Sequence, residues 1–506
     1  MDVPVLGVIL NWFLILLSIC IFLICWFFYS SYNYWKNRGI PYEKPFLFFG
    51  NLSFVLRKSV WDFCYELKCK HPRDYVGIFL AWKPALMLQT PEFARRIFVK
   101  DFEYFQDRFL YTGFSDPLGS LNLFTVKNPI WSTMRNSLSP MFTASRLKMI
   151  TELMNMNSKE LVGKIRRDHI ENNKAVNLKE LFSMYTSDTV AYSVFGIRVS
   201  VLNDQDSPLW FITNHMVKWT FWRGFEFTMI FFVPAVAALL RLQFFSDAAT
   251  EYIKKMFWNV ARERKSSDYD NHKDLVNHLL KLRDNLKLPA DSGSDLADDL
   301  MLAQVAVFIL GSIETSSTAL SYCLHELAHH PEEQEKLYNE VSEALKKSGK
   351  DNLNYDELME LKYMSACINE TLRKFPPLGY LDRICNQRYK LNDEVTIEKG
   401  TPVFINVLAI HYDEKIYPEP HQWRPERMHN ASDNDNLNFT FLPFGEGPRF
   451  CIGKRYGYMQ IRASLSQLVA AYKFLPADIP YKVETDPYSV ILSPKGGLSV
   501  KFQARY

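Results

Sequence analysis

No CxxC pair occurs among the eight cysteines of this 506-residue chain, so neither a zinc ribbon nor a disulfide framework is available to it. No Gly/Ser-rich or Pro-rich stretch is long enough to separate domains, although a prior of ~150 residues per domain suggests about three. Charge of one sign is also missing. Lys and Arg number 59 against 56 Asp and Glu, and the net +3 gives no electrostatic basis for binding nucleic acid. What the chain has is apolar mass. It is 48% hydrophobic and 23% charged, the balance of a globular protein and not of a disordered one. Its 38 Phe, 26 Tyr and 11 Trp can bury a large core or line an apolar pocket.

From Val3 to Tyr29 the only strongly polar side chain is Asn11, in a run that includes Trp12, Phe13, Leu14, Ile15, Leu16 and Leu17. A helix of ~20 apolar residues spans the hydrocarbon core of a bilayer. The start is acidic (Asp2) and the basic residues Lys36, Arg38 and Lys44 come afterwards, the reverse of a cleaved signal peptide. The positive-inside rule then places the N-terminus in a lumen and the remaining chain in the cytosol. Cys20 and Cys25 in this segment read as small hydrophobes. Residues 1–30 are thus read as a membrane anchor and 31–506 as one catalytic domain. Pro41 and Pro45 stiffen the join between them.

The body reads as helices with little strand. Tyr75–Leu80 and Ala85–Leu88 suggest a short hairpin around Trp82-Lys83-Pro84. Apolar 3–4 spacing recurs through 131–198, 208–222 and 245–282. Phe225–Phe245, broken by Pro234, is either a core helix or a patch dipping into the membrane face. Arg262–Lys273 and Lys287–Ser294 read as exposed connections. A long helix follows, capped by Ser294 and Asp295 and stopped by Pro331, about 54 Å at 1.5 Å per residue. Its middle is nearly uncharged except where Gly311, Ser312, Glu314, Thr315, Ser316 and Ser317 interrupt it. A buried carboxylate there is costly unless it has a partner or a task.

Three motifs compete for the chemistry. His325-Glu326-Leu327-Ala328-His329 matches the HExxH zinc pattern, but no third ligand follows at a usable spacing, and a polar helix surface is the better reading. Glu370 and Arg373 stand at i and i+3, and Arg427 downstream can supply a second guanidinium to the same carboxylate. Phe444-Gly445-Glu446-Gly447-Pro448-Arg449-Phe450-Cys451-Ile452-Gly453 fails as a phosphate loop, since the third glycine of Rossmann spacing is absent. It succeeds as a thiolate loop. Glycines let the backbone pass close to a flat ligand, and the helix beginning at Lys454 turns its positive end toward Cys451.

Trp131-x-x-x-Arg135, Gly311-Ser312-Ile313-Glu314-Thr315, Glu370-x-x-Arg373 with Pro425-Glu426-Arg427, and the Cys451 loop, in that order, resemble the cytochrome P-450 heme-thiolate monooxygenases over essentially the whole chain. Tyr34-Trp35-Lys36, Phe102-x-x-Phe105-x-Asp107-Arg108 and Leu381-Asp382-Arg383-Ile384-Cys385 look like the microsomal type, most like the insect family-six enzymes of xenobiotic metabolism. The resemblance implies a mostly α fold with small β-sheets, a long central helix and one N-terminal transmembrane helix. It implies heme b with Cys451 on the iron, and Trp131, Arg135, Arg383, Phe444, Arg449 and Gly453 binding the cofactor. Glu314 and Thr315 are then the oxygen-activating pair, and Glu370, Arg373 and Arg427 a structural triad. Tyr111, Phe114, Leu121, Phe124, Phe308 and Leu378 line the substrate pocket by the same likeness.

Electrons have to come from outside, since no flavin or nicotinamide motif is present. The resemblance implies an NADPH–cytochrome reductase, with cytochrome b5 as a second donor, at the endoplasmic reticulum membrane with the catalytic domain on the cytosolic face. The expected substrate is a lipophilic small molecule: a xenobiotic, a plant toxin or an insecticide-like compound. An endogenous lipid or hormone, a reductase-independent heme-thiolate reaction and, remotely, a zinc peptidase are the alternatives. Three departures stand out: Ser312 where the family has glycine, Met428 for a usual Phe, and Phe450 before the cysteine. Ser312 is expected either to bond back to the Phe308 carbonyl or to narrow the oxygen groove.

Overall fold

A computed structural model describes residues 3–52, 58–113, 115–171, 174–204, 206–264, 274–285, 294–429, 439–477 and 480–505. Helices dominate it. Val3–Tyr32 is one helix, apolar and long enough to cross a membrane, with only 6% of its most apolar stretch buried. The central helix Ser294–His329 passes the same test of length and composition, but it is 56% buried. That difference in burial assigns it to the core. Its first half (Leu300, Met301, Val305, Ala306, Ile309) enters one apolar core and its second half (Leu320, Leu324, Leu327) another, so it holds the two together.

Around it pack Leu178–Phe195, Pro117–Leu121, Lys362–Lys374 and Lys454–Ala471. Helices at Ile130–Leu138, Ala144–Ile165, Pro208–Val217, Asp247–Arg264 and Leu275–Asn285 occupy the stretches of 3–4 apolar spacing. Most of Arg262–Lys273 and Lys287–Ser294 lies outside the described residues.

Sheet is sparse. The largest has four strands in the order Tyr75–Leu80, Lys83–Leu88, Pro402–Asn406, Tyr380–Ile384. The hairpin turn is shorter than the sequence suggests: Ala81 takes a φ of 54° and the second strand already begins at Lys83. Pro84 therefore pairs with Phe79 inside a strand. It is tolerated because the Pro402–Asn406 strand reaches only Leu86–Leu88, which leaves Pro84 on an edge where no N–H is required.

Phe225–Phe245 is core over most of its length, with exposed apolar side chains at its second helix end. Helices Phe221–Phe232 and Pro234–Leu239 bury Phe227, Ile230, Phe231, Phe232 and Ala237, while Trp222, Leu239 and Leu240 are exposed. The HExxH segment is not a polar surface. His325 and Glu326 are buried, and the Glu326 carboxylate accepts from Lys374 Nζ at 2.8 Å and Tyr481 Oη at 2.7 Å. Its role there is to pin the central helix to Lys362–Lys374, and no group of three metal-binding side chains occurs among the described residues.

The clamp expected of Glu370 is formed. Arg373 donates to it through Nε at 2.7 Å and Nη2 at 2.9 Å, Arg427 Nε at 2.9 Å, and the Arg424 N–H at 3.1 Å. Glu370 and Arg373 are wholly buried. Arg373 also donates to the carbonyls of His411 and Pro420, each at 2.8 Å. Removing the carboxylate leaves buried guanidinium groups unpaired, a loss of about 3–5 kcal/mol. Glu370→Ala is therefore expected to give unstable protein without bound cofactor. Chemical denaturation and cofactor content check this, and normal values for both would reduce the clamp to an ordinary contact.

Candidate active site

Between the central helix and the loop before Lys454–Ala471 lies a cavity of about 310 Å³. A single water needs only roughly 10–15 Å³ measured this way. Phe308, Gly311, Ser312, Thr315, Ser316 and Ala319 line it from the helix, positions that follow one helical face. Pro443, Phe444 and Arg449 to Gly453 line it from the loop, with Trp131, Arg135, Leu123, Phe124, Leu378 and Leu381 completing the walls.

The loop is built to aim Cys451 into this space. The Cys451 N–H donates to the Phe444 carbonyl at 2.8 Å, closing the loop on itself. Gly447 has a φ of 74°, and a Cβ there would stand 1.9 Å from the Phe98 carbonyl oxygen, so no other residue fits. The thiol opens on the cavity and is enclosed on its other sides. Burial pushes its pKa up, while the Gly453 N–H and the charges of Arg135, Arg108 and Lys454 favour the thiolate. Arg135 also lies 4.6 Å over the ring of Phe450. That exposed ring is the residue that departs from the family pattern.

To one side the cations are crowded. Arg108, Lys127, Arg383 and Arg449 share two carboxylates, Asp107 and Asp382. Arg449 Nη2 reaches Asp107 at 3.0 Å and Arg108 Nη1 reaches Asp382 at 2.9 Å. Lys127 donates to the Leu110 carbonyl at 2.9 Å. Burial, then the neighbouring Arg108, lowers Arg449 to about 9; burial lowers Lys127 to about 8 despite Asp382 and Asp107. Arg449 Nε and Nη1 and Arg383 Nε are buried without a hydrogen-bond partner. Unsatisfied donors on surplus cations mark a place for an anion.

Thr315 faces the cavity and donates its hydroxyl hydrogen to the Gly311 carbonyl at 2.7 Å. Glu314 does not line the cavity. Neighbours on a helix point about 100° apart, and its carboxylate turns instead to Lys179 Nζ at 3.1 Å and Trp219 Nε1 at 3.5 Å. Lys179 is fixed by Ser317 and Thr318, each at 2.8 Å. Ser312 lines the groove and does not bond back to the Phe308 carbonyl; the polar side chain its hydroxyl meets is Tyr456.

Of the remaining pocket residues, Phe124, Phe308 and Leu378 line the cavity. Tyr111 and Leu121 are not among its lining residues. Phe114 lies outside the described residues. Arg383 stands behind the wall, over the ring of Phe98 at 4.6 Å. Arg108 and Lys127 were not singled out by sequence as cofactor-binding, although Asp107-Arg108 was within reach as part of a quoted motif.

The model of the family described as Cytochrome P450 matches residues 40–502. The chain belongs to the cytochrome P450 family. It is 32% identical over 491 residues to cytochrome P450 6k1 of Blattella germanica, covering 93% of each chain. It is 31% identical over 493 residues to probable cytochrome P450 6g2 of Drosophila melanogaster, covering 93% of this chain and 94% of that one. Cytochrome P450 9c1 of Drosophila melanogaster is 31% identical over 470 residues, covering 88% and 90%. As a cytochrome P450 the chain is a monooxygenase, with heme as its cofactor, an external redox partner and lipophilic substrates. The apolar helix Val3–Tyr32 fits association with a membrane.

The residues present fit a heme. A thiol lines the cavity, and the unpartnered guanidinium N–H groups of Arg449 on its wall, with Arg383 behind that wall, suit the negative charge of the propionates. With those anions absent, the crowded cations have a testable pH signature. Lys127 and Arg449 titrate lower in the folded chain than unfolded, so between about pH 8 and 10 the unfolded state binds more protons. Stability of heme-stripped protein is therefore expected to rise with pH across that window. Thermal unfolding at a series of pH values checks it, and Lys127→Met should flatten part of the rise.

Proposed function

We propose that this cytochrome P450 holds heme b through Cys451 and inserts one oxygen atom of O2 into a lipophilic xenobiotic, a plant toxin or insecticide-like compound. The observation that carries the reading is that Cys451, the one thiol among the described residues lining the cavity, shares that cavity with Gly311, Ser312 and Thr315 of the central helix. Heme, when bound, supplies the activation of oxygen, and a thiolate ligand favours O–O cleavage.

The protein's own side chains supply position, charge and protons. Arg135 and the Gly453 N–H hold the sulfur's negative charge. Arg449 and Trp131, which line the cavity, would hold the propionate side, with Arg383 adding its charge from behind the wall, and Phe444 and Gly453 would bound the space for the macrocycle. Thr315 is the stationary polar group of the groove: with its hydrogen committed to Gly311, its oxygen is free to accept from a water and to hold that proton donor in place. Glu314, tied to Lys179, braces the helix and reaches the groove only by turning its side chain. Phe124, Phe308 and Leu378 exclude water and select apolar substrates.

The electrons come from an NADPH–cytochrome reductase, with cytochrome b5 as a second donor. Residues 1–30 anchor the enzyme in the endoplasmic reticulum, and 31–506 form the catalytic domain on the cytosolic face. The basic residues Lys36, Arg38 and Lys44 after the helix support that orientation.

Reduced protein under carbon monoxide is expected to show the strongly red-shifted Soret band of a thiolate-ligated heme, and Cys451→Ser is expected to lose it together with activity. Retention of the band in that variant would exclude Cys451 as the ligand. A second variant reads the proton path. Thr315→Ala should still bind heme and substrate but release more hydrogen peroxide per NADPH consumed. Removing a positioned acid–base group commonly costs about 10²–10⁴-fold; Ser312 and Ser316, in the same groove, should hold the loss below that range. Coupling measured as product per NADPH, with peroxide quantified alongside, decides it, and unchanged coupling would remove Thr315 from the path.

A further inference from the structure

Behind the chamber wall lies a buried carboxylate that the reaction does not use. Asp116 is 4% exposed, and its two oxygens accept from different segments: Oδ1 from the Gly119 N–H at 2.9 Å, Oδ2 from the Phe244 N–H at 2.7 Å. The first bond caps the short turn of helix that leads into Leu123 and Phe124, both of which line the cavity. The second reaches the segment after the Pro234–Leu239 helix. Arg223 closes the far side by donating to the Gln243 carbonyl at 3.0 Å and to the Phe244 carbonyl. Aromatic rings fill the space between. Phe124 meets Phe231 at 6.0 Å, and Phe231 meets Phe244 at 6.1 Å.

There is no slack in this arrangement. A Cβ on Gly119 would stand 2.0 Å from Asp116 Oδ2 and 2.7 Å from Phe244 Cβ. On the opposite side Gln304 of the central helix accepts from the Leu123 N–H at 2.9 Å and donates to the Leu121 carbonyl at 3.0 Å. The wall residues are thus held between a fixed helix and the Phe244 segment, and among the described residues the Asp116 carboxylate joins them to the latter by hydrogen bonds to both.

We propose that Asp116 is the positioning residue of the substrate chamber: its carboxylate clasps the Leu123–Phe124 wall to the Phe244 segment and so sets which ligands the chamber retains. This rests on the reading of the cavity as the substrate chamber above a heme. Asp116→Asn keeps the shape but offers one acceptor oxygen, leaving either Gly119 or Phe244 facing an amide donor. Gly119→Ala forces the same clasp apart by crowding, with the carboxylate itself left in the sequence.

The test uses full-length, heme-loaded protein and two probes, imidazole and 1-phenylimidazole. Both coordinate heme iron, but only the phenyl group needs the wall. Both variants are expected to keep normal heme content and the red-shifted carbon monoxide band. Amide exchange at Gly119 and Phe244 should quicken, and 1-phenylimidazole should leave roughly tenfold faster or more, in line with the loss of a hydrogen bond to a charged group. Imidazole release should stay unchanged. Equal acceleration of both probes would make Asp116 a general stabiliser and overturn the proposal, as would unchanged release of 1-phenylimidazole or unchanged exchange. Asp116→Asn carries the comparison where Gly119→Ala fails to fold. Exchange at the two amides reads the clasp whether or not the parent protein shows the thiolate band, so failure of the clasp and failure of the heme reading are separate results.

Discussion

The buried carboxylate of Glu370 is the constraint from which the geometry of the site follows. It gathers two guanidinium groups, and one of them, Arg373, passes the order onward through the backbone carbonyl of His411. The His411 ring then bridges two segments: Nδ1 meets the Arg373 carbonyl at 2.9 Å, and Nε2 accepts the Leu442 N–H at 2.9 Å. Leu442 enters the Cys451 loop. Burial and the nearby Arg373 charge lower His411 to about 3, which keeps the ring neutral and able to donate at one nitrogen while accepting at the other. An ion pair, a neutral imidazole and a loop N–H therefore act in series, and the position of the sulfur depends on each of them.

A second theme is how the chain keeps charge inside apolar walls. Glu314 and Glu326 both sit on the central helix, and each is answered by a lysine from another helix, Lys179 and Lys374. Such pairs contribute little net stability but are costly to break, so they specify which helices meet. The cluster at Arg108, Lys127, Arg383 and Arg449 differs, because its carboxylates are too few. Its imbalance is tolerable where a dianionic ligand completes the set.

The central helix was legible in the sequence because both ends carry local chemistry, a cap and a proline, and the apolar pattern between them is long. The Cys451 loop was legible for a similar reason: its glycines and its cysteine act within ten residues. The cation cluster was harder, since Arg108, Lys127, Arg383 and Arg449 meet only through tertiary structure. Tyr111 and Leu121 were placed by likeness to a layout, and neither lines the cavity. Glu314 is more instructive. Helical periodicity alone separates it from Thr315 by about 100°, and the motif reading overrode that geometry. The hairpin slipped because Pro84 reads as a turn residue, whereas the sheet leaves it an edge.

The central helix also bears on how the protein is made. Its composition would let it cross a bilayer, and it leaves the ribosome well before the Lys454–Ala471 helix that covers it. At about 5–20 residues per second that interval lasts roughly 6–25 s, on a nascent chain already attached to a membrane if its first helix has inserted. Glu314, near the middle of that helix, then acts as a sorting mark. An acidic side chain near the middle of a spanning segment costs about 2.5–3.5 kcal/mol on insertion scales. The carboxylate that later binds Lys179 thus disfavours insertion of the same helix while it waits for its partners.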